Sequence, residues 1–158
     1  ILGEKYISRF PNSPEFRYWY LVNLGSWAQA YGILTAAREG VADLMKEHAE
    51  KIIELDSQYQ DGGGYFMLGA VHFKSPYIPF LLPWPDNDKA IKYLQLALDN
   101  GAQTLNQKVY LAKALIKDGQ HNNAKILLKE VINSQPDSTK IIEDLDDIKE
   151  AQELLEDF

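Results

Sequence analysis

Ala90, Leu94, Ala97 and Leu98 recur as Ala124, Leu128, Val131 and Ile132, each 34 positions later. Within each set the spacing puts all four residues on one face of an α-helix. A repeat of this length holds two helices and a turn, and one such unit cannot bury its apolar face alone. The recurrence therefore constrains the chain to stacked helical hairpins, each covering the next.

The spacing is the tetratricopeptide period, and the last unit fits it without gaps. Leu111, Ala112 and Leu115 lie in a first helix, Gly119 at the turn, Ala124 and Leu128 in a second helix, and Pro136 closes. Thr104 followed by Gln107 has the capping-box form, and Gly119 suits the residue after a helix. The preceding unit has Leu68, Gly69 and His72 at 43 positions before their counterparts, so nine extra residues fall between its two helices. A looser unit lies upstream: Trp27, Ala28 and Tyr31 in its first helix, then Met45, Ala49, Ile52 and Ile53 in its second. About five residues are in excess near 35–40, and Gly62-Gly63-Gly64 reads as an inter-repeat linker. The first helix is predicted to begin at Ser13 with Pro14 at its first position. Its apolar face reads Tyr20, Leu24, Trp27, Ala28 and Tyr31, with Trp27 assigned to the core. The second helix shows Val41, Leu44, Met45, His48, Ile52 and Leu55. No segment carries a strand pattern. The expected fold is a single all-α domain over 1–158, a tetratricopeptide-like right-handed superhelix. Its hairpins span about 13–57, 62–101 and 104–136, with a capping helix over about 138–157. That helix presents Ile141, Leu145, Ile148 and Leu155 on one face.

The nine-residue excess falls within the eleven-residue run Ser75–Pro85, SPYIPFLLPWP, which holds four of the seven prolines. Proline at this density forbids helix and central strand. Leaving Phe80, Leu81, Leu82 and Trp84 all in water would cost roughly 1.5–3 kcal/mol for each large side chain. The run thus reads as a loop packed on its own hairpin, as a wall of an apolar pocket, or as a contact patch for another chain.

Composition narrows the classes. The 158 residues are 46% hydrophobic and 25% charged, ordinary material for one core. No apolar run approaches the roughly 18 residues of a membrane span. There is no cysteine, hence no disulfide framework, thiolate metal site or thiol nucleophile. The first residue is Ile1, which fits a processed chain whose export signal is already removed. Residues 1–136 carry 14 acidic and 14 basic side chains, so the net charge of −7 resides in the C-terminal segment. No basic stripe is present, and nucleic-acid binding is not expected. The acidic segment reads as the polar outer face of the capping helix, or as a docking face for a basic partner. His48, His72 and His121 are far apart and lack metal-ligand spacing, and His48 and His72 fall on apolar helix faces. Gly62-Gly63-Gly64 lacks the Lys-Ser/Thr of a phosphate loop, and Gly25-Ser26 lacks the second glycine of a nucleophile elbow. No catalytic residues, cofactor or metal are expected.

Tyr18-Trp19 followed by Asn23 and Gly25-Ser26-Trp27 resembles the signature helix of the T-component family of TRAP transporters. Glu54-Leu55-Asp56, Tyr59, Gly62-Gly63-Gly64 and Leu68-Gly69 resembles the family's next block, and 106–114 (NQKVYLAKA) its following first helix. The resemblance covers about Ser13 to the C-terminus. It implies a periplasmic, usually lipid-anchored tetratricopeptide protein beside a substrate-binding protein and a membrane permease, in uptake of small, often carboxylate-bearing solutes. This chain has no lipobox cysteine and no upstream helical region of the family. First helices of such superhelices line the concave surface, where ligands and peptides bind. The candidate contact residues are Trp19, Asn23, Tyr65, Tyr77, Phe80, Leu82, Trp84, Asn106 and Tyr110. The expected partner is the substrate-binding protein of a TRAP system, with a small organic acid or hydrophobic solute as possible ligand and a homo-oligomer as a further option. The alternatives are a stand-alone carrier of a small hydrophobic ligand and a generic tetratricopeptide adaptor or assembly lipoprotein.

Overall fold

The computed structural model describes residues 2–158. Its helices are α1 (Leu2–Arg9), α2 (Pro14–Tyr31), α3 (Ile33–Arg38), α4 (Val41–Leu55), α5 (Tyr59–Lys74), α6 (Asn87–Asn100), α7 (Leu105–Lys117), α8 (His121–Ile132) and α9 (Ile141–Glu156). The fold is all-α. From α4 onward each helix packs on the next as helical hairpins, α2 packs on α4 across the short α3, and α9 touches α7 as well as α8. Among the described residues the β pairing is one isolated antiparallel bridge, Ile78 to Leu82.

Local signals explain most helix ends. Ser13 precedes Pro14, whose ring presets the first helical φ and whose missing N–H would have lacked a partner anyway. Thr104 and Gln107 form a reciprocal capping box at α7. The Asp86 carboxylate accepts from the N–H groups of Asp88 and Lys89 at the start of α6. Gly119 takes φ 79° just past α7, where a side chain would be strained.

The core has two apolar clusters. One joins Leu21, Ala49, Ile52, Leu68, Val71 and Leu82 from α2, α4, α5 and the loop after α5. The other joins Leu94, Leu98, Val109, Leu111, Leu128 and Ala151 from α6 to α9.

Several expectations are corrected. The chain has α1 before Ser13, and the excess near 35–40 is largely the helix α3. The buried stripe of α2 runs through Arg17 and Leu21, with Tyr18 and Leu24 beside it; Tyr31 is exposed, and the half-buried Trp27 stacks on Tyr31 outside both clusters. With aromatics on several faces of α2, only the positions of α1, α4 and α5 decide which face is covered. Gly62-Gly63-Gly64 is not a linker. Gln60, Asp61 and Gly62 take left-handed dihedrals that break α5, and Gly63 and Gly64 are buried in its first regular turn. A Cβ at Gly62 would lie 2.7 Å from the Ala97 carbonyl oxygen, and one at Gly64 2.9 Å from Ile53 Cγ1. The glycines let α5 approach α6 and α4 closely. On α9 Ile141 and Leu145 are exposed, and the buried face carries Asp144, Asp147 and Ala151. Asp144 accepts from the Asp137 N–H at 2.7 Å, and Asp147 from Asn106 Nδ2 at 2.9 Å. Of the expected aliphatic face, Ile148 and Leu155 do pack against the second cluster, so polar partners and part of that stripe together orient this helix.

Candidate binding groove and the proline-aromatic loop

α2, α5 and α7, the first helices of their hairpins, converge with α3 and α4 around a half-open groove of about 500 Å³. From α2 come Leu21, Val22, Gly25, Ser26 and Gln29, spaced to share one face; from α5 come Phe66, Met67, Ala70, Val71 and Lys74. Ala36, Ala37, Ala42 and Met45 close the side formed by α3 and α4. The space exists because small residues (Gly25, Ala28, Ala36, Ala70) stand where larger ones would fill it. The lining is mostly apolar, as in ligand pockets.

One end is polar and is made by Lys74, Asn106 and Tyr110. The Lys74 ammonium stands 5.4 Å from the Tyr110 ring centroid and 5.7 Å from that of Phe73. Lys113 stands 5.3 Å from Tyr110 on its own approach and pairs with Glu150. Burial lowers the Lys74 pKa, and the neighbouring Lys113 lowers it further. Burial raises the Tyr110 pKa, with Glu150 and Asp147 adding to it. Lys74 makes no ion pair among the described residues. Ser26 Oγ donates back to the Val22 carbonyl at 2.9 Å, so no base addresses it. The groove can bury an apolar body and set one accepting or anionic group beside Lys74.

The candidates divide among three places. Asn106 and Tyr110 lie in the groove, although the Asn106 amide is also spent on Asp147. Trp19 is exposed on the outside of α2 against the edge of Tyr18, Asn23 Nδ2 donates to the Trp19 carbonyl at 2.7 Å, and Tyr65 is half-buried; none of the three lines the groove. The remaining four, Tyr77, Phe80, Leu82 and Trp84, belong to the loop, which meets the groove only through Ser75. Lys74, Gly25 and the alanines were missed. Small residues give no sequence signal of a cavity, and a lysine ending a helix reads as an ordinary surface charge.

The loop is half anchored and half free. Leu82 is fully buried, and Trp84 donates through Nε1 to Asp43 at 2.7 Å while packing edge-on against His72 and under Lys46. Ile78 and Leu82 exchange both backbone hydrogen bonds, at 2.9 and 2.7 Å, closing a miniature hairpin around Pro79, Phe80 and Leu81. Phe80 at its tip has φ 65° and is 105% exposed, with Tyr77 and Leu81 exposed beside it.

The histidines are packing groups. His48 Nδ1 meets Arg17 Nη1 at 2.8 Å, and burial and then Arg17 lower its pKa. His72 is buried between Trp84 and Tyr93, and its Nδ1 has no hydrogen-bond partner among the described residues. His121 lies against Phe158. Among the described residues no group of three or more His, Asp or Glu side chains could hold a metal, and no helix is long and apolar enough to cross a membrane.

No protein-family model matches the chain, and no curated protein matches it.

Proposed function

We propose that this chain is a non-catalytic binding domain whose groove takes the apolar part of a small ligand, with an anionic or accepting group beside Lys74. The carrying observation is the groove of about 500 Å³, built by small residues on converging first helices and ended by a cation that makes no ion pair among the described residues. Its position on the first helices fits a tetratricopeptide-type scaffold. On the residue resemblance, we further propose a periplasmic accessory of a TRAP-type uptake system, binding the substrate-binding protein and holding its solute.

The test uses an anionic naphthalene dye, 1-anilinonaphthalene-8-sulfonate, titrated into the purified domain. Ala70→Trp, which fills the groove, is expected to weaken dye binding at least tenfold. Lys74→Met should weaken it mainly at low salt, where a single charge contact counts most. Wild-type affinity in both variants would remove the groove as the site. The transport assignment is checked separately by calorimetry against the purified substrate-binding protein, and absence of heat at micromolar concentrations would count against it.

A further inference from the structure

We propose that the tip of the proline-aromatic loop of one copy of this chain seats in the groove of a second copy. Phe80 at the tip has φ 65°, a conformation that favours glycine, and it is fully exposed. A large aromatic held there covers nothing on its own domain, and Tyr77 and Leu81 are exposed beside it. Its own groove is out of reach. Of the loop only Ser75 lines it, while buried Leu82 and the Trp84 bond to Asp43 pin the rest to the core and to α4.

Tip and groove match in polarity, hydrogen bonding and charge. The groove of about 500 Å³ is mostly apolar and falls in the range that takes a drug-sized body, so it has room for Phe80 with Leu81. No residue from Ser75 to Pro85 is charged, so seating the tip strips no ion of water. The Phe80 N–H and the carbonyls of Pro79, Phe80 and Leu81 make no hydrogen bond among the described residues. In the groove the Gln29 amide and the Tyr110 hydroxyl also lack one among those residues, and the Lys74 ammonium can only donate. Each side thus offers the partners that the other lacks, which avoids the cost of buried unpaired groups. Around the base of the loop, Asp43, Asp86 and Asp88 outnumber Lys46 and Lys89. At the polar end of the groove, Lys74, Lys113 and Lys117 outnumber Glu150 and Asp147. The contact brings these opposite surpluses together. Every copy carries both halves, and the loop is already held in shape, so a second copy binds without ordering a segment.

Sedimentation velocity of the purified chain from micromolar to millimolar concentration tests this. Wild type should associate as the concentration rises. Phe80→Gly removes the tip and relieves its φ. Gly25→Leu blocks the groove; a Cβ at Gly25 meets only Met45 Cε, at 3.8 Å, and loss of a mid-helix glycine favours α2. Each variant alone should associate at least tenfold more weakly, with thermal stability held. Mixed together they should form a dimer, because the Gly25→Leu chain keeps its tip and the Phe80→Gly chain keeps its groove. The dye 1-anilinonaphthalene-8-sulfonate should dissociate the wild-type assembly. The inference is overturned if wild type stays monomeric, if either variant associates like wild type, if the mixture stays monomeric, or if the dye binds without loss of the assembly. It shares the groove with the small-ligand reading but not the ligand. Absence of dye binding would remove that reading alone, whereas the mixing result decides this one.

Discussion

Gly62 and Gly119 both hold left-handed backbone, but they do so for different reasons. At Gly119, φ is 79° and nothing lies within 4 Å of a hypothetical Cβ, so a side chain meets only conformational strain. At Gly62, φ is 73° and the Ala97 carbonyl oxygen stands 2.7 Å from that Cβ. Gly119→Ala should therefore cost about 1 kcal/mol, and Gly62→Ala distinctly more, about 2–4 kcal/mol, with α5 pushed from α6. Urea unfolding of both variants checks the order, and equal losses would refute the close-approach account. His72 sets a pH dependence. Burial, then Lys89 and Lys46, depress its pKa from 6.5 to about 4, against Asp86. The unfolded chain takes up the proton first, so stability is full above about pH 6.5 and falls as the pH drops towards about 4, by up to about 3 kcal/mol. His48, also lowered, acts in the same direction; Asp147, raised by burial, opposes it. The urea midpoint should fall between neutral pH and pH ~4.5, and His72→Leu should flatten that slope. An identical slope in the variant would show that other groups carry it.

At the level of single elements, α7 and α9 show how polar pairs choose a helix face. Asn106 meets Asp147 and Lys113 meets Glu150, and these contacts turn Ile141 and Leu145 outward. Asn106→Ala leaves the buried Asp147 carboxylate without its side-chain donor and should cost about 1–3 kcal/mol. It should also weaken protection of α9 amides against hydrogen exchange, and unchanged exchange would mean that apolar contacts alone seat the helix. The same comparison shows what was legible. Ser13-Pro14, Thr104 with Gln107, and Gly119 announced their helix ends because capping acts within one turn. The faces of α2 and α9 were legible only in part: Leu24, Ile148 and Leu155 pack on the core as their spacing suggests, whereas Tyr31, Ile141 and Leu145 are equally apolar but lie exposed because no neighbouring element covers them. The address of the proline-aromatic loop, between α5 and α6, was readable from repeat spacing. Its division into buried Leu82 and exposed Phe80 was not, since alternate apolar residues in an irregular segment have no fixed period.

Across the whole molecule, helical periodicity, local caps and the 34-residue recurrence determined an all-α chain of stacked hairpins and the place of its insertion. These properties depend on residues within a turn of one another, or on spacing along the chain. The tertiary structure alone decided that Gly63 and Gly64 belong inside a helix, and that Asn106 and Tyr110 share a groove while the other seven candidates do not. It also decided that Lys74 ends that groove with no ion pair among the described residues. Each of these depends on which helices come together and how closely. A small residue becomes a cavity wall, and an unpaired lysine a site, only when a second and third helix are set against it.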